Sequence, residues 1–183
     1  MSTLTADPGF ARGEVLGVTK KYYSAENGDG SHMLGVHKVF RDVDVRAEGK
    51  VLSNETVECV AVKNTSGGAL LPGTLVEFKA AAPLTEVATA GADASIRVGV
   101  VDEYLPAAGV PDDEVFWVVV KGPTKVDTDG SSTYTNGAAI QAAAGVGERG
   151  YAEPHSAGEK RGFVLTTTDG SAEAKVRVFV TGV

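Results

Sequence analysis

The sequence predicts an all-β fold, and three observations lead to that prediction. The 183 residues include 23 glycines and only two methionines, a balance that favours many turns and short strands. The most apolar run is rich in valine and holds the only tryptophan, Trp117, and such β-branched and aromatic residues suit a pleated, packed surface. Asn-Gly and Asp-Gly dipeptides separate the apolar runs. We therefore expect a compact β-barrel or β-sandwich with an N-terminal arm and at most one short helix.

Eight segments have the composition of strands. They are residues 14–23, 34–45, 56–63, 74–78, 96–101, 115–121, 161–168 and 175–181. Turn dipeptides such as Asn27-Gly28 and Asp169-Gly170 lie between them and supply the positive φ angles of tight turns. The strands on either side of the acidic, proline-marked loop 105–114 are expected to pair, and so are the last two strands, across Asp169-Gly170.

The chain is expected to form one β-rich domain, residues 14–183, preceded by an aperiodic arm, residues 1–13. Within the domain, residues 14–55 and 129–183 could be peripheral extensions around a core of residues 56–128. The alanine-rich segment 137–145 is bounded by glycines. It could form a two-turn helix or an extended segment packed against a neighbour, and the sequence leaves both possibilities open.

The formal net charge is −7, and residues 51–130 carry twelve acidic against five basic side chains. Such a surface repels phosphate groups and anionic lipids, so we expect no direct binding to nucleic acid or membranes. No apolar run approaches about 18 residues and no apolar signal segment follows Met1, so we expect neither a membrane span nor export by a visible signal.

The sequence contains no pattern that predicts a catalytic, metal or cofactor site. Gly145 to Gly150 has the spelling GxGxxG but follows an alanine run, and Pro154 precedes any helix. The three histidines lack the spacing of metal ligands, and the two loops that resemble calcium sites lack the closing glutamate. The single cysteine, Cys59, lies in a strand-like run and is expected to be a small buried apolar residue.

One segment resembles an enzyme motif. Gly99-Val100-Val101-Asp102-Glu103-Tyr104 resembles the aspartate-bearing motif of trimeric dUTPases. The resemblance implies that Asp102 activates a water molecule and that Tyr104 shapes a uracil pocket. The serine-rich phosphate loop and the glycine-rich C-terminal arm of that family have no counterpart in this chain. A trimeric dUTPase-like nucleotide hydrolase is therefore the alternative interpretation, and a β-rich ligand-binding module is a third.

A second resemblance covers more of the chain, about residues 56–128. It begins with an Asn-Thr-Ser-Gly turn and a Pro-Gly step into a strand, in Lys63 to Val76. A Gly-Val-Val strand follows in Val98 to Asp102, and after Gly109 to Pro111 comes a strand that ends in Lys-Gly, in Phe116 to Pro123. This pattern is similar to the capsid decoration, or cement, proteins of tailed bacteriophages. The resemblance implies a non-enzymatic homotrimer on the outside of the virion, made in the host cytoplasm.

The same resemblance implies a phage major capsid protein as partner, which the chain would clamp after the shell expands. Phe10 and Arg12 in the arm are candidate contacts, because Phe10 is a lone apolar residue in an aperiodic segment. Phe179 is the third candidate contact. If Val178 and Val180 point inward, Phe179 points to the opposite face of its strand, where an aromatic side chain suits a subunit or partner contact.

Overall fold

The computed structural model describes residues 16, 19–21, 33–44, 50–82, 84–90, 98–128, 132–144, 150–154, 156, 162–165 and 176–181. These residues form eleven β-strands and no α-helix, which confirms the all-β prediction. The strands are β1 Thr19–Lys21, β2 His37–Asp44, β3 Lys50–Asn64, β4 Leu75–Phe78, β5 Glu86–Thr89, β6 Val98–Val101, β7 Glu114–Val126, β8 Ala139–Ala144, β9 Gly150–Pro154, β10 Gly162–Val164 and β11 Val176–Thr181. In these parts of the chain no helix could cross a membrane.

Five of the strands close into a ring. β3 pairs with β5 in parallel, and the antiparallel pairs β5–β4, β4–β6, β6–β7 and β7–β3 complete the circuit. Closure leaves these strands without a free edge in the ring. One cluster of buried side chains fills the ring: Val60, Val62, Leu70, Val76, Phe78, Val87, Val101, Leu105, Val110, Phe116, Val118 and Val120. Burial of each such valine or phenylalanine stabilises the fold by roughly 1.5–3 kcal/mol.

A second core packs against the outside of the ring. Trp117 and Cys59 lie in it, fully buried, as the sequence predicted. Phe40 of β2 meets the Trp117 ring edge-on, with centroids 5.1 Å apart. Successive residues of β7 point alternately into the ring and into this second core, so the strand is buried on both faces and its sequence is an unbroken apolar run.

The C-terminal strands form a curved sheet that continues from β7. The second half of β7 pairs with β11, followed by β10, β8 and β9 in that order. A bridge between Thr128 and Ala152 brings β9 back to the end of β7, and the Tyr134 hydroxyl donates a 2.6 Å hydrogen bond to the Ala152 carbonyl. Tyr134, Ile140 and Val164 belong to the second core, which therefore joins this sheet to the ring.

The β7 strand carries a β-bulge at its centre. Glu58 of β3 lies opposite Lys121, whereas Cys59 lies opposite Val119, so Val120 is an extra residue. Gly122 follows with a φ of 110°, and a Cβ atom there would lie 2.6 Å from the Thr56 carbonyl oxygen. Only glycine combines that dihedral angle with so close a backbone approach.

Two short strands, β5 and β9, were not predicted from the sequence. Of the two possibilities left open for the alanine-rich segment, the structure shows the extended one, strand β8. β8 is paired on both sides, with β9 and β10, and these inter-strand hydrogen bonds outweigh the helix propensity of alanine. The predicted arm, residues 1–13, lies outside the described residues.

Candidate interaction surface

One end of the ring is held by the side chain of Asn64. Its Nδ2 donates to the carbonyl oxygens of Gly68 at 2.7 Å, Val110 at 2.9 Å and Pro111 at 3.1 Å, and its Oδ1 accepts a 3.0 Å bond from the backbone N–H of Ser66. Asn64 is fully buried. The amide therefore joins two loops that are more than forty residues apart in sequence, and its hydrogen bonds stabilise this end of the ring.

The acidic loop lies at this end of the ring and is tied to it. Asp112 Oδ1 accepts a 3.0 Å bond from the Gly67 N–H, and Asp113 forms a 2.6 Å ion pair with Lys63. Leu70 and Val110 exchange both backbone hydrogen bonds. These bonds make the loop an ordered part of the ring end, and its charges are exposed in agreement with the sequence interpretation.

Asp102, the residue on which the dUTPase resemblance depends, is buried. Asp102 is 1% exposed. Its Oδ1 accepts a 3.0 Å hydrogen bond from the backbone N–H of Tyr104. This bond closes a turn directly after β6, which is a common structural role for an aspartate. The geometry places the carboxylate inside the protein and not on a surface that a nucleotide could reach.

Cys59 lies close enough to Asp102 for the two to interact electrostatically. Burial, and then the negative charges of Asp102 and Glu58, raise the pKa of the Cys59 thiol well above its ordinary value. The thiol therefore stays protonated at neutral pH, which is the opposite of what a nucleophilic cysteine requires. Within the described ranges no three histidine, cysteine or acidic side chains form a group that could hold a metal ion.

The C-terminal sheet carries one row of cross-strand partners that are all apolar. Four residues on adjacent strands are directly opposite one another: Pro123 of β7, Phe179 of β11, Phe163 of β10 and Ala139 of β8. We call them the phenylalanine row. Phe163 is 38% exposed, whereas its neighbours Gly162 and Val164 are buried. An exposed phenylalanine beside a second aromatic position is typical of a contact surface.

The flanks of the phenylalanine row are basic at several positions. Lys125 lies opposite Arg177 on one side of the row, and Lys121 lies opposite Thr181 on the other. Lys121 and Lys125 make ion pairs with Glu58 at 3.3 Å and with Glu103 at 3.7 Å. The rim of this surface is therefore polar, as it is in protein–protein interfaces whose partners also exist separately in water.

Of the three contact residues predicted from sequence, Phe10 and Arg12 lie outside the described residues. The backbone of Phe179 is at the centre of the phenylalanine row, and its side chain is not among those described. The sequence interpretation missed Phe163, because the direct pairing of the two phenylalanines follows from the register of β10 and β11. It also missed Val39 on β2, which is 58% exposed, although alternation along His37 to Arg41 could have indicated it.

Comparison with known proteins identified no relative of this chain. No protein-family model matches the sequence, and no curated protein and no solved structure matches it significantly. The functional argument therefore depends on the chemistry and geometry of the chain itself.

Proposed function

We propose that this protein is a structural protein of a tailed-phage virion, which binds the outer surface of the expanded capsid as a homotrimer and clamps neighbouring major capsid protein subunits. The observation that carries the proposal is the exposed Phe163, which lies directly opposite Phe179 in the phenylalanine row. The sequence resemblance to cement proteins supplies the identity of the partner.

A clamp requires a body that does not deform under load, and the fold meets that requirement. The closed ring and the second core share β7, and both cores are filled by large apolar side chains. Closely packed interiors transmit strain instead of absorbing it. The Asn64 hydrogen bonds extend this rigidity to the loops at the end of the ring.

The binding energy of such a protein comes from modest contacts made several times. One protein interface of standard size buries about 1,600 Å² in total, and area alone does not fix its affinity. A trimer that contacts several coat subunits gains by avidity, because each further contact forms at a high effective concentration. Binding of this kind uses repeated surface contacts and needs no catalytic group.

The test combines mass in solution with capsid binding. Light scattering should give three times the 18.8 kDa chain mass. The trimer should sediment with expanded, undecorated capsids of tailed phages and raise their melting temperature. Phe163→Lys should weaken capsid binding about tenfold or more, the effect expected at a contact that dominates an interface.

Ala107→Lys is the matched control, since it adds the same charge at an exposed loop position away from the row. It should bind capsids like the unmodified protein. A Phe163→Lys variant that melts normally and also binds normally would refute the role of the row. A protein that sediments with no expanded capsid would refute the proposed function.

The hydrolase alternative needs Asp102 to reach a bound water molecule, and the buried, turn-closing geometry of Asp102 does not favour it. Magnesium-dependent hydrolysis of dUTP that is lost in a folded Asp102→Asn variant would reverse this choice.

A further inference from the structure

The turn that leads into β8 contains Asn136-Gly137, which is the one Asn-Gly dipeptide among the described residues. Both residues are exposed. In such a dipeptide the backbone nitrogen of the glycine can attack the side-chain amide of the asparagine, because glycine has no side chain to hinder the approach. The reaction is deamidation, and it needs only water.

Deamidation of Asn136 would proceed in two steps. The Gly137 nitrogen loses its proton and forms a bond to the Asn136 Cγ, while the bond from Cγ to the side-chain nitrogen breaks and ammonia leaves with the proton. Water then opens the five-membered imide at either carbonyl, which gives aspartate or isoaspartate at position 136. A peptide nitrogen that keeps its proton shares its lone pair with the carbonyl and is a poor nucleophile, so a base must first reach the Gly137 N–H.

The structure holds that N–H in a strand ladder. Gly137 N–H donates a 2.8 Å hydrogen bond to the Val164 carbonyl of β10, and Val164 N–H donates a 2.8 Å bond to the Ala138 carbonyl. Gly137 and Ala138 therefore both lie opposite Val164. With a φ of 80° at Gly137, this is the arrangement of a G1 β-bulge. The proton that deamidation must remove is thus bonded to β10.

The turn also separates the two reacting atoms. Ala138 N–H donates a 2.9 Å bond to the Thr135 carbonyl, and of the two central residues only Gly137 has a positive φ, which defines a type II turn. In such a turn ψ of the first central residue, Asn136, is about 120°. At that angle the Gly137 nitrogen is rotated well away from Asn136 Cβ, whereas closure of a five-membered ring requires these two atoms to eclipse.

We infer that Asn136 is a deamidation site and that the end of the β8–β10 ladder controls its rate. The folded turn blocks the reaction, and local opening of the ladder permits it. Short strand ends open at a lower free energy than the whole fold, and β10 is only three residues long. Isoaspartate lengthens the backbone of the turn by one carbon atom, so the modification would disturb the ladder directly beside Phe163.

Peptide mapping by mass spectrometry tests the site in the full-length protein. The tryptic peptide 126–149 contains Asn136 and no other asparagine, and the peptide 22–38 contains the second Asn-Gly dipeptide, Asn27-Gly28, as an internal reference. In guanidinium chloride both dipeptides should deamidate at similar rates. In the folded protein Asn136 should react at least about tenfold more slowly than in guanidinium chloride at the same pH, which corresponds to about 1.4 kcal/mol of opening free energy.

Equal rates at Asn136 in the folded and unfolded protein would overturn the control by the ladder. An unfolded chain that reacts at Asn27 but not at Asn136 would overturn the site itself. Asn136→Gln cannot form the five-membered ring and should abolish the mass gain in peptide 126–149; a mass gain that persists would assign the reaction to Gln141. Hydrogen exchange needs no variant: the Gly137 amide should be protected at least about tenfold, and rapid exchange would contradict the inference.

Two matched truncations separate local opening from global unfolding. Val164 and Val87 are both 0% exposed, but Val164 belongs to the second core and Val87 to the cluster inside the ring. Val164→Ala loosens the end of β10 and should accelerate deamidation of Asn136 several-fold in the folded protein. Val87→Ala should leave the rate unchanged. Equal acceleration in both folded variants, or in neither, would refute the ladder as the controlling element.

Discussion

Replacing Asn64 by alanine should destabilise the protein more than any other single polar change at the end of the ring. The alanine removes a side chain whose Nδ2 lies 2.7–3.1 Å from three carbonyl oxygens and whose Oδ1 accepts a bond from the Ser66 N–H. These groups lie on two separate loops. In the described structure Asn64 is the only core side chain that forms hydrogen bonds to both loops, and the variant removes it.

The expected magnitude follows from the number of bonds that the amide can form. Two N–H donors and one carbonyl acceptor make about three well-formed hydrogen bonds, and each contributes roughly 0.5–1.5 kcal/mol net. We expect a loss of about 3 kcal/mol in the free energy of unfolding. In a chain of this length that loss corresponds to a fall in melting temperature of roughly 6–12 °C.

Urea unfolding followed by Trp117 fluorescence measures this loss, and hydrogen exchange locates it. The midpoint should fall without a change in the slope m, and the Ser66 amide should lose protection. Ser66→Ala is the matched control, because its hydroxyl makes an exposed 3.0 Å bond to the Gly68 carbonyl; it should change stability by no more than about 0.5 kcal/mol. A loss below about 1 kcal/mol for Asn64→Ala, within the range of one hydrogen bond, would refute the reasoning.

Two further predictions concern the second core. Trp117→Ala should cost about 3–5 kcal/mol in a chemical-unfolding measurement, and a near-neutral result would contradict the burial of Trp117 at 0% exposure. Because the raised pKa of Cys59 favours the native state only while the thiol is protonated, unfolding free energy should fall as the pH rises above about 8.5. Cys59→Ala should lack this part of the decline in urea titrations at pH 7 to 10, and identical slopes for the two proteins would contradict the prediction.

The strands that the sequence predicted best are those buried on both faces. The apolar run around Trp117 was predicted from composition alone, and the pairing of β6 with β7 followed from the loop between them. Both features are local, since they depend on side-chain type and on a short connection. The end residues of strands were less predictable: β7 continues to Val126 because β11 pairs with its second half.

The features that the sequence did not predict depend on distant pairing. β5 lies parallel to β3 through only two registered pairs, Lys63 with Glu86 and Asn64 with Val87, and nothing in a four-residue segment indicates such a partner. Asn64 was part of a predicted turn, but its bond to Val110 joins residues 46 positions apart. A side chain that reaches across the fold leaves no periodic signal in its own neighbourhood.

The phenylalanine row likewise combines a feature that the sequence predicts with one that depends on strand pairing. Outward placement of Phe179 was predicted from alternation within one strand. Its pairing with Phe163 depends on the register, because a two-residue turn at Asp169-Gly170 would place Val176 opposite Phe163, whereas the structure places Phe179 there. A shift of three residues moves the aromatic pair, and turn dipeptides alone do not fix a hairpin register.

The sequence by itself determined that this protein is all-β, that Trp117 and Cys59 are buried, and that the middle of the chain is acidic. These properties follow from residue type and local alternation, which act over a few positions. Only the tertiary structure decided that five strands close into a ring, that Phe163 joins Phe179 in one row, and that β2 ends the sheet order with Val39 exposed. Those arrangements depend on which distant strands pair and in which register, and the free energy of that choice comes from packing across the whole fold.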